Sequence, residues 1–289
     1  MPMSAKTIIK QLLYVLFISL AVPFLLSFLN FVHPLFDSYS HFRIHLLYAL
    51  IPLMFLLAFF HEVKNTLLYL LLTLVASYYL YTLHQPFVPK TISNDKNNSL
   101  KLIQYNLNFQ NQELDEVVKY FKNSSADVIT LQEVTPEHQA KLEEMKTESY
   151  LIEFSEEYPY LGWKKGAYPY QRYCEYSAVG AVAILSKHPL NEAQSACLEH
   201  QGLLWSEIKV KERAINLVSI HTYWPYPFQQ PEQIQSIKPI FSHIKTPSII
   251  AGDFNAAPWS HTVKEIEKAS KTKIVKGLRW TIELKEQLP

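Results

Sequence analysis

Charge is what the first third of this sequence lacks. Among residues 1–89 only Lys6, Lys10, Arg43 and Lys64 are positive, and only Asp37 and Glu62 are negative. The other 200 residues carry 23 positive and 24 negative side chains. A uniform soluble globule does not divide its charge in this way, and the mean hydropathy of −0.03 averages two unlike parts. Glycine is scarce too, at six residues in 289, which excludes a collagen-like or low-complexity chain. Apolar residues reach 48%, too many for a disordered one. The polar part is nearly neutral, so there is no strong electrostatic case for duplex nucleic acid as a partner.

Three charge-free runs fill the apolar third: Gln11–Phe36, Ile44–Phe60 and Asn65–Pro89. A bilayer span needs about 20 apolar residues. The first and third runs exceed that length, and the second lies at its short end. Each is apolar all round, where a helix at the edge of a soluble core would show a polar stripe. A secretory signal is the competing reading of the first run. That run is too long for a signal core, no small-residue cleavage site follows it, and two more spans would remain. His33, His41, His45, His61 and His84 lie near the run ends as interfacial polar residues rather than metal ligands. Tyr78, Tyr79 and Tyr81 suit an aromatic belt.

The expectation is a three-helix transmembrane region at 1–85, a linker at 86–99 and a polar domain at 100–289. Lys6, Lys10 and Lys64 on one side against Arg43 on the other put the N-terminus in the cytoplasm and the polar domain outside. A bacterial inner membrane fits, with the lipid bilayer as the first partner. The two cysteines, Cys174 and Cys197, either pair or remain buried free thiols. An extracytoplasmic location favours the disulfide.

The polar part alternates short β runs with helical ones. Strands are expected at Leu100–Tyr105, Asp127–Leu131, Ala178–Leu185, Leu203–Val210, Ala214–Ile220 and Pro247–Ala251. Helices are expected at Glu113–Lys122, around Ile234–Ile244, and after Thr262, where Glu265 has capping-box spacing. This alternation describes an α/β domain. Four strands end in polar groups: Tyr-Asn-Leu-Asn (105–108), Leu-Gln-Glu-Val (131–134), Ser-Ile-His (219–221) and Gly-Asp-Phe-Asn (252–255). Singly, each is an ordinary strand end or turn. Together, if the strands are neighbours, they form an oxygen-rich site suited to Mg²⁺ with room for water and phosphate.

This series resembles the endonuclease/exonuclease/phosphatase superfamily, the fold of pancreatic deoxyribonuclease, over about residues 100–282. The stretch HTYWPYPFQQ, the two cysteines and the preceding spans resemble a bacterial integral-membrane branch of it. The resemblance implies a four-layer α/β sandwich of two mixed sheets flanked by helices. It also implies an Mg²⁺- (or Mn²⁺-) dependent hydrolysis of phosphoester bonds. Glu133 would hold the metal, helped by Asn106 and less directly by Asn108. Asp253 would orient or deprotonate the attacking water, Asn255 would hold a phosphoryl oxygen, and His221 would assist the leaving group.

The superfamily pattern ends with an Asp-His pair on a late strand. No aspartate follows Asp253 here, and His261 is the one later histidine. A C-terminally shortened domain, lacking its last strand or strands near Gly277–Thr281, is therefore the expectation. It brings an alternative function: a weak or inactive family member acting as a binding or scaffold protein. The substrate is left open among nucleic acid, lipid headgroup and small phosphoester, since the fold hosts them all. The membrane tether leans toward a lipid or envelope phosphoester. The tyrosines around Cys174 (Tyr168, Tyr170, Tyr173 and Tyr176) read as an aromatic-rich loop, for which facing the substrate is the lesser of the alternatives.

Overall fold

The computed structural model describes residues 4–60, 63–85, 99–153, 159–244 and 247–275. Helix α1 (Ala5–Leu26) starts at Ser4, whose Oγ accepts the Thr7 N–H at 3.2 Å. A single 3-10 turn follows (Ser27–Leu29), then α2 (Pro34–His41), α3 (Arg43–Phe59) and α4 (Val63–His84). Two helices are long and apolar enough to cross a membrane. There are up to three if α2 and α3, bent by 66° at Phe42, form one span.

The first apolar run is therefore divided. Its last residues, Pro34–Phe36, open α2 instead of extending α1. Proline cannot continue a helix whose carbonyls it would clash with, but it suits a first turn. The His33 Nδ1 accepts the Leu35 N–H at 3.1 Å and caps that turn. The expected linker at 86–99 lies almost wholly outside the described residues, as does the stretch 277–281 where the domain is expected to be cut short.

Arg43, a loop charge by sequence, is buried. Its Nε donates to Ser27 Oγ at 2.9 Å, and its guanidinium lies 4.4 Å from the Phe28 ring centroid. These contacts tie the start of α3 to the end of α1. Tyr79 packs against Phe24 and Phe28, and the Tyr48 hydroxyl meets His84 Nε2 at 3.0 Å. The end of α4 thus lies beside the end of α1 and the start of α3.

The polar part is a sandwich of two four-stranded sheets. One has the order β1-β2-β6-β5, from Leu102–Asn106, Val128–Val134, Gly180–Ser186 and Tyr170–Ser177. The other has the order β10-β9-β8-β7, from Ser248–Asp253, Arg213–His221, Leu203–Val210 and Leu190–Leu198. In each sheet one pair is parallel, β1 with β2 and β10 with β9, and the other pairs are antiparallel. A separate hairpin joins β3 (Thr147–Glu153) to β4 (Pro159–Lys165).

Three apolar layers hold this together. Val128, Val182, Ile184, Leu204, Ile208 and Leu217 meet between the sheets. Helices α5 (Leu114–Asn123) and α6 (Pro136–Glu143) cover the first sheet through Val118, Phe121 and Leu142. Helices α7 (Gln230–Ile237) and α8 (His261–Ser270) cover the second through Ile234, Ile237 and Ile266. The four-layer α/β architecture is thus present.

Several local expectations change. The tyrosine-rich stretch is not a loop: Tyr170–Ser177 is β5, with Cys174 and Tyr176 buried and Glu175 exposed between them. Alternation of that kind is a strand signal. Strands β3, β4 and β7 add to those expected. In α8 the cap is Ser260, which accepts the Val263 N–H at 3.2 Å, while Glu265 pairs with Lys238 at 2.5 Å instead of closing a capping box.

Cys174 and Cys197 form a disulfide between β5 and β7, linking one sheet to the other. The bond closes a loop over a separation of 23 residues. Loop-closure entropy predicts that the Cys174→Ala/Cys197→Ala double variant loses about 3 kcal/mol of stability. The thermal midpoint of the detergent-solubilised protein, with and without reductant, checks this. An unchanged midpoint would contradict it.

Candidate active site

Strand parity decides where the polar groups point. Side chains alternate faces along a strand. In β1, Leu102 faces the second sheet, so Gln104 and Asn106 share that face. In β9, Leu217 sets the same face for Ser219 and His221, and in β10 Ile249 sets it for Ala251 and Asp253. The parallel pairings place Asn106 opposite Gln132 and Asp253 opposite His221, at the C-terminal ends of their strands. Both pairs face the cleft between the two sheets, where Asn106 meets Asp253 and Gln132 and His221 are buried.

Glu133 reaches this cleft by a different device. The β2–β6 register shifts between Leu131 and Val134, and Glu133 has φ 58°. Such a bulge re-aims one side chain through an unusual backbone conformation. Gly252 and Gly202 meet another demand, that of close backbone approach. A Cβ on Gly252 would lie 1.9 Å from the Ile220 oxygen, and one on Gly202 would lie 2.0 Å from the His221 oxygen.

The groups then converge. Asn106 Nδ2 donates to Glu133 Oε1 at 2.9 Å and to Asp253 Oδ2 at 3.0 Å. Its Oδ1 accepts the Asn108 N–H at 2.9 Å. The Phe109 N–H donates to Glu133 Oε2 at 2.9 Å, and the Asn255 N–H to Asp253 Oδ1 at 2.9 Å. His221 Nε2 lies 3.9 Å from Glu133 Oε1. Glu133, His221 and Asp253 each offer a ligand atom within 4.8 Å of the others.

Asn108 and Asn255 stand at the margin of this group. Asn108 Oδ1 accepts the Gln110 N–H at 3.1 Å and shapes a turn, its backbone in the left-handed region. Asn255 Nδ2 donates to Thr222 O at 2.7 Å and ties the loop after Asp253 to the one after His221. His261 lies elsewhere, at the first turn of α8.

Three participants escape a reading of the sequence. Gln104, Gln132 and Ser219 form a polar layer beneath the site. Gln104 Nε2 donates to Gln132 Oε1 at 2.8 Å, and Gln132 Nε2 donates to Ser219 Oγ at 3.1 Å. Each sits two residues or fewer from a site residue on an otherwise apolar strand, which is the signal that could have found them. Tyr176, expected in a loop, stands on β5 with its ring 4.7 Å from that of His221. Burial pushes its hydroxyl well above the ordinary tyrosine range, and the charges of Tyr223, Asp253 and Glu133 add to that push.

Two carboxylates held by one amide make a strongly negative spot, and a cation is the natural counter-charge. The donor set is oxygen-rich with one imidazole, which fits a hard divalent ion such as Mg²⁺ or Mn²⁺. Glu133 and Asp253 would hold it.

His221 is 4% exposed, and its Nδ1 is buried without a hydrogen-bond partner among the described residues. Burial lowers its pKa from 6.5, and the opposing pull of Asp253 and Glu133 does not reverse this. The folded state therefore binds a proton on His221 less readily than the unfolded chain does. By linkage, metal-free protein should lose stability as pH falls below about 6.5, levelling off once the folded form also protonates. Denaturation midpoints in EDTA across pH 5–8 test this, and His221→Asn should flatten that part of the profile.

Comparison with curated proteins finds no match. Solved structures with a similar chain path include a mutant of beta toxin from Staphylococcus aureus with bound magnesium ions. It is 16% identical, with a TM-score of 0.40, over 59% of this chain and 70% of that one. Sphingomyelinase C from Streptomyces griseocarneus is 16% identical, with a TM-score of 0.37, over 60% and 70%. A humanized D. rerio TDP2 is 16% identical, with a TM-score of 0.40, over 58% and 66%. A family model described as Endonuclease/Exonuclease/phosphatase family matches residues 103–282. That span includes every strand-end group of the cleft, and the chain belongs to this family.

Proposed function

We propose that this chain is a membrane-anchored hydrolase that uses a divalent metal, Mg²⁺ or Mn²⁺, to cleave phosphoester bonds on the extracytoplasmic side. Family membership supports the phosphoester hydrolase. The observation that carries the divalent metal is the convergence of Glu133, Asp253 and His221 at the end of the sandwich.

Roles follow from the hydrogen bonds. Glu133 would be the principal ligand of a bound metal. When bound, the metal neutralises charge that builds on the phosphoryl oxygens. Asp253, held by Asn106 and by the Asn255 N–H, accepts the proton of the attacking water. Water adds to phosphorus as the bond to the leaving oxygen breaks. Burial favours the neutral form of His221, whose N–H would donate a hydrogen bond to that oxygen as it takes the electron pair of the breaking bond. Asn106 commits both amide protons to the two carboxylates, so its work is to position them rather than to bind phosphate.

Glu133→Ala and Asp253→Ala should each lower metal-dependent hydrolysis of bis(p-nitrophenyl) phosphate by about a hundredfold or more. Activity equal to the parent in both variants would remove the site assignment. For the membrane side, the lysine distribution and the disulfide support an outside domain. A periplasm-active phosphatase fused after residue 289 should be active, and a cytoplasm-dependent fluorescent fusion dark. The reverse pattern would overturn this orientation.

A further inference from the structure

The membrane part and the catalytic domain are bonded to each other through α2 and the turn before it. Asn30 Nδ2 donates to Trp259 O at 3.2 Å, and Trp259 Nε1 donates to Ser40 O at 2.7 Å. Asp37, 6% exposed, accepts the His261 N–H at 2.6 Å and the Thr262 N–H at 3.0 Å. A carboxylate at that place satisfies two of the free N–H groups of the α8 N-terminus and suits its dipole. Ser38 Oγ donates to Tyr226 O at 2.7 Å, and the His33 and Tyr226 rings lie 5.7 Å apart.

The last two contacts fix the height of one loop. Residues 222–229 leave β9 directly after His221 and run to α7. Thr222 is bonded on both sides to the site, its N–H to Asp253 O at 3.0 Å and its carbonyl to Asn255 Nδ2. Four residues later, Tyr226 is bonded to α2. Between and beyond, Trp224 is 63% exposed and Phe228 55%. Phe31 and Val32, in the turn between the end of the first apolar helix and α2, are 65% and 60% exposed. Aromatic rings anchored at the mouth of a spanning helix have a preferred environment, the headgroup layer. That layer is only about 5–8 Å deep on each side of the hydrocarbon.

We propose that the Trp224–Phe228 loop is seated in the interfacial layer of the bilayer, continuous with Phe31 and Val32. The cleft of Glu133, Asp253 and His221 then opens toward the headgroups. Its substrate is an amphiphilic phosphoester presented by the membrane, not a molecule arriving from solution. This rests on the membrane-anchored hydrolase reading above. It adds the device that brings substrate and site together: one loop with a catalytic-site residue at its root and membrane-seeking rings at its tip.

A depth measurement tests the seating without relying on activity. Cys174 and Cys197 are paired, so a Phe228→Cys substitution gives the full chain a unique thiol. It is labelled with an environment-sensitive fluorophore in phosphatidylcholine–phosphatidylglycerol vesicles. Nitroxide-bearing lipid should quench the label strongly and aqueous iodide weakly. Quenching by iodide with none by lipid would overturn the proposal, as would shielding from both, which would mean that another protein surface covers the loop.

The second arm compares two substrates in the Trp224→Ser/Phe228→Ser variant. Turnover of a phosphodiester lipid in the vesicle should fall about tenfold or more, the equivalent of losing ~1.4 kcal/mol of interfacial binding, while bis(p-nitrophenyl) phosphate is cleaved as before. Equal loss on both would assign the rings to folding of the site and overturn their membrane role. Lipid quenching in a protein that cleaves neither substrate would remove the hydrolase reading and leave the seating intact.

Discussion

A single amide crosses between the two sheets at the active site. Asn106 belongs to the first sheet, as does Glu133, while Asp253 belongs to the second. The Asn106 nitrogen bonds both carboxylates, at 2.9 and 3.0 Å. Two carboxylates brought this close repel, and each loses favourable hydration on leaving water. The amide spreads one proton to each, and the backbone N–H groups of Phe109 and Asn255 supply a further donor apiece. The apolar layer between the sheets sets the distance at which this balance holds. A shift of one sheet against the other would separate the carboxylates and break up the cluster of Glu133, His221 and Asp253 that could hold a metal. This is why the disulfide between β5 and β7 and the polar layer of Gln104, Gln132 and Ser219 matter beyond their own energies. Both fasten one sheet to the other, the disulfide through two strands and the polar layer directly beneath the site.

What can be read from the residues is governed by periodicity. Leu217, Ser219 and His221 alternate with Val218 and Ile220, so β9 declares that His221 shares a face with Leu217. The same parity holds for Asp253 in β10 and Asn106 in β1. These strands are legible because each side chain obeys the period of two. Glu133 breaks that period, and only a bulge with a left-handed backbone brings it into the cleft. Its membership follows from the company it keeps in the motif, not from its strand. β5 is obscured for a related reason: a run of four tyrosines within nine residues looks like a recognition loop, though three of them stand on β5, whose last four residues alternate in burial as a strand's do. The division of the first apolar run is hidden because Pro34 in an apolar stretch is tolerated within a membrane as well as at the start of a new helix.

Asp37 shows how much a composition argument conceals. As one of two acids in the apolar third it counts only toward a charge tally. In the fold it is buried, and both of its oxygens accept N–H groups from the first turn of α8. Arg43, six residues on, is likewise engaged inside the helical part by Ser27 and Phe28. Neither charge is a loop charge in the sense that topology rules assume. With α2 and α3 counted as one span, the proposed orientation rests on Lys6, Lys10 and Lys64, which then share a side, and it is not weakened by losing Arg43.

The same segment also binds the chemistry to the membrane part. Helix α8 begins a few residues after Asp253 and Asn255, and Trp259 between them is held at both its carbonyl and its indole by Asn30 and Ser40. The stretch that carries two site residues is thus pinned at one end by β10, which pairs with β9, and at the other by α2. A catalytic domain on a free tether would sample all orientations and gain from the membrane only by proximity. Here the orientation is specified by buried hydrogen bonds, including two to a carboxylate, and bonds of that kind are the costly ones to leave unmade. Rigid attachment makes sense only if one approach direction is useful. For the membrane-anchored hydrolase proposed above, whose aromatic loop is bonded to the same helix, that direction is toward the bilayer surface.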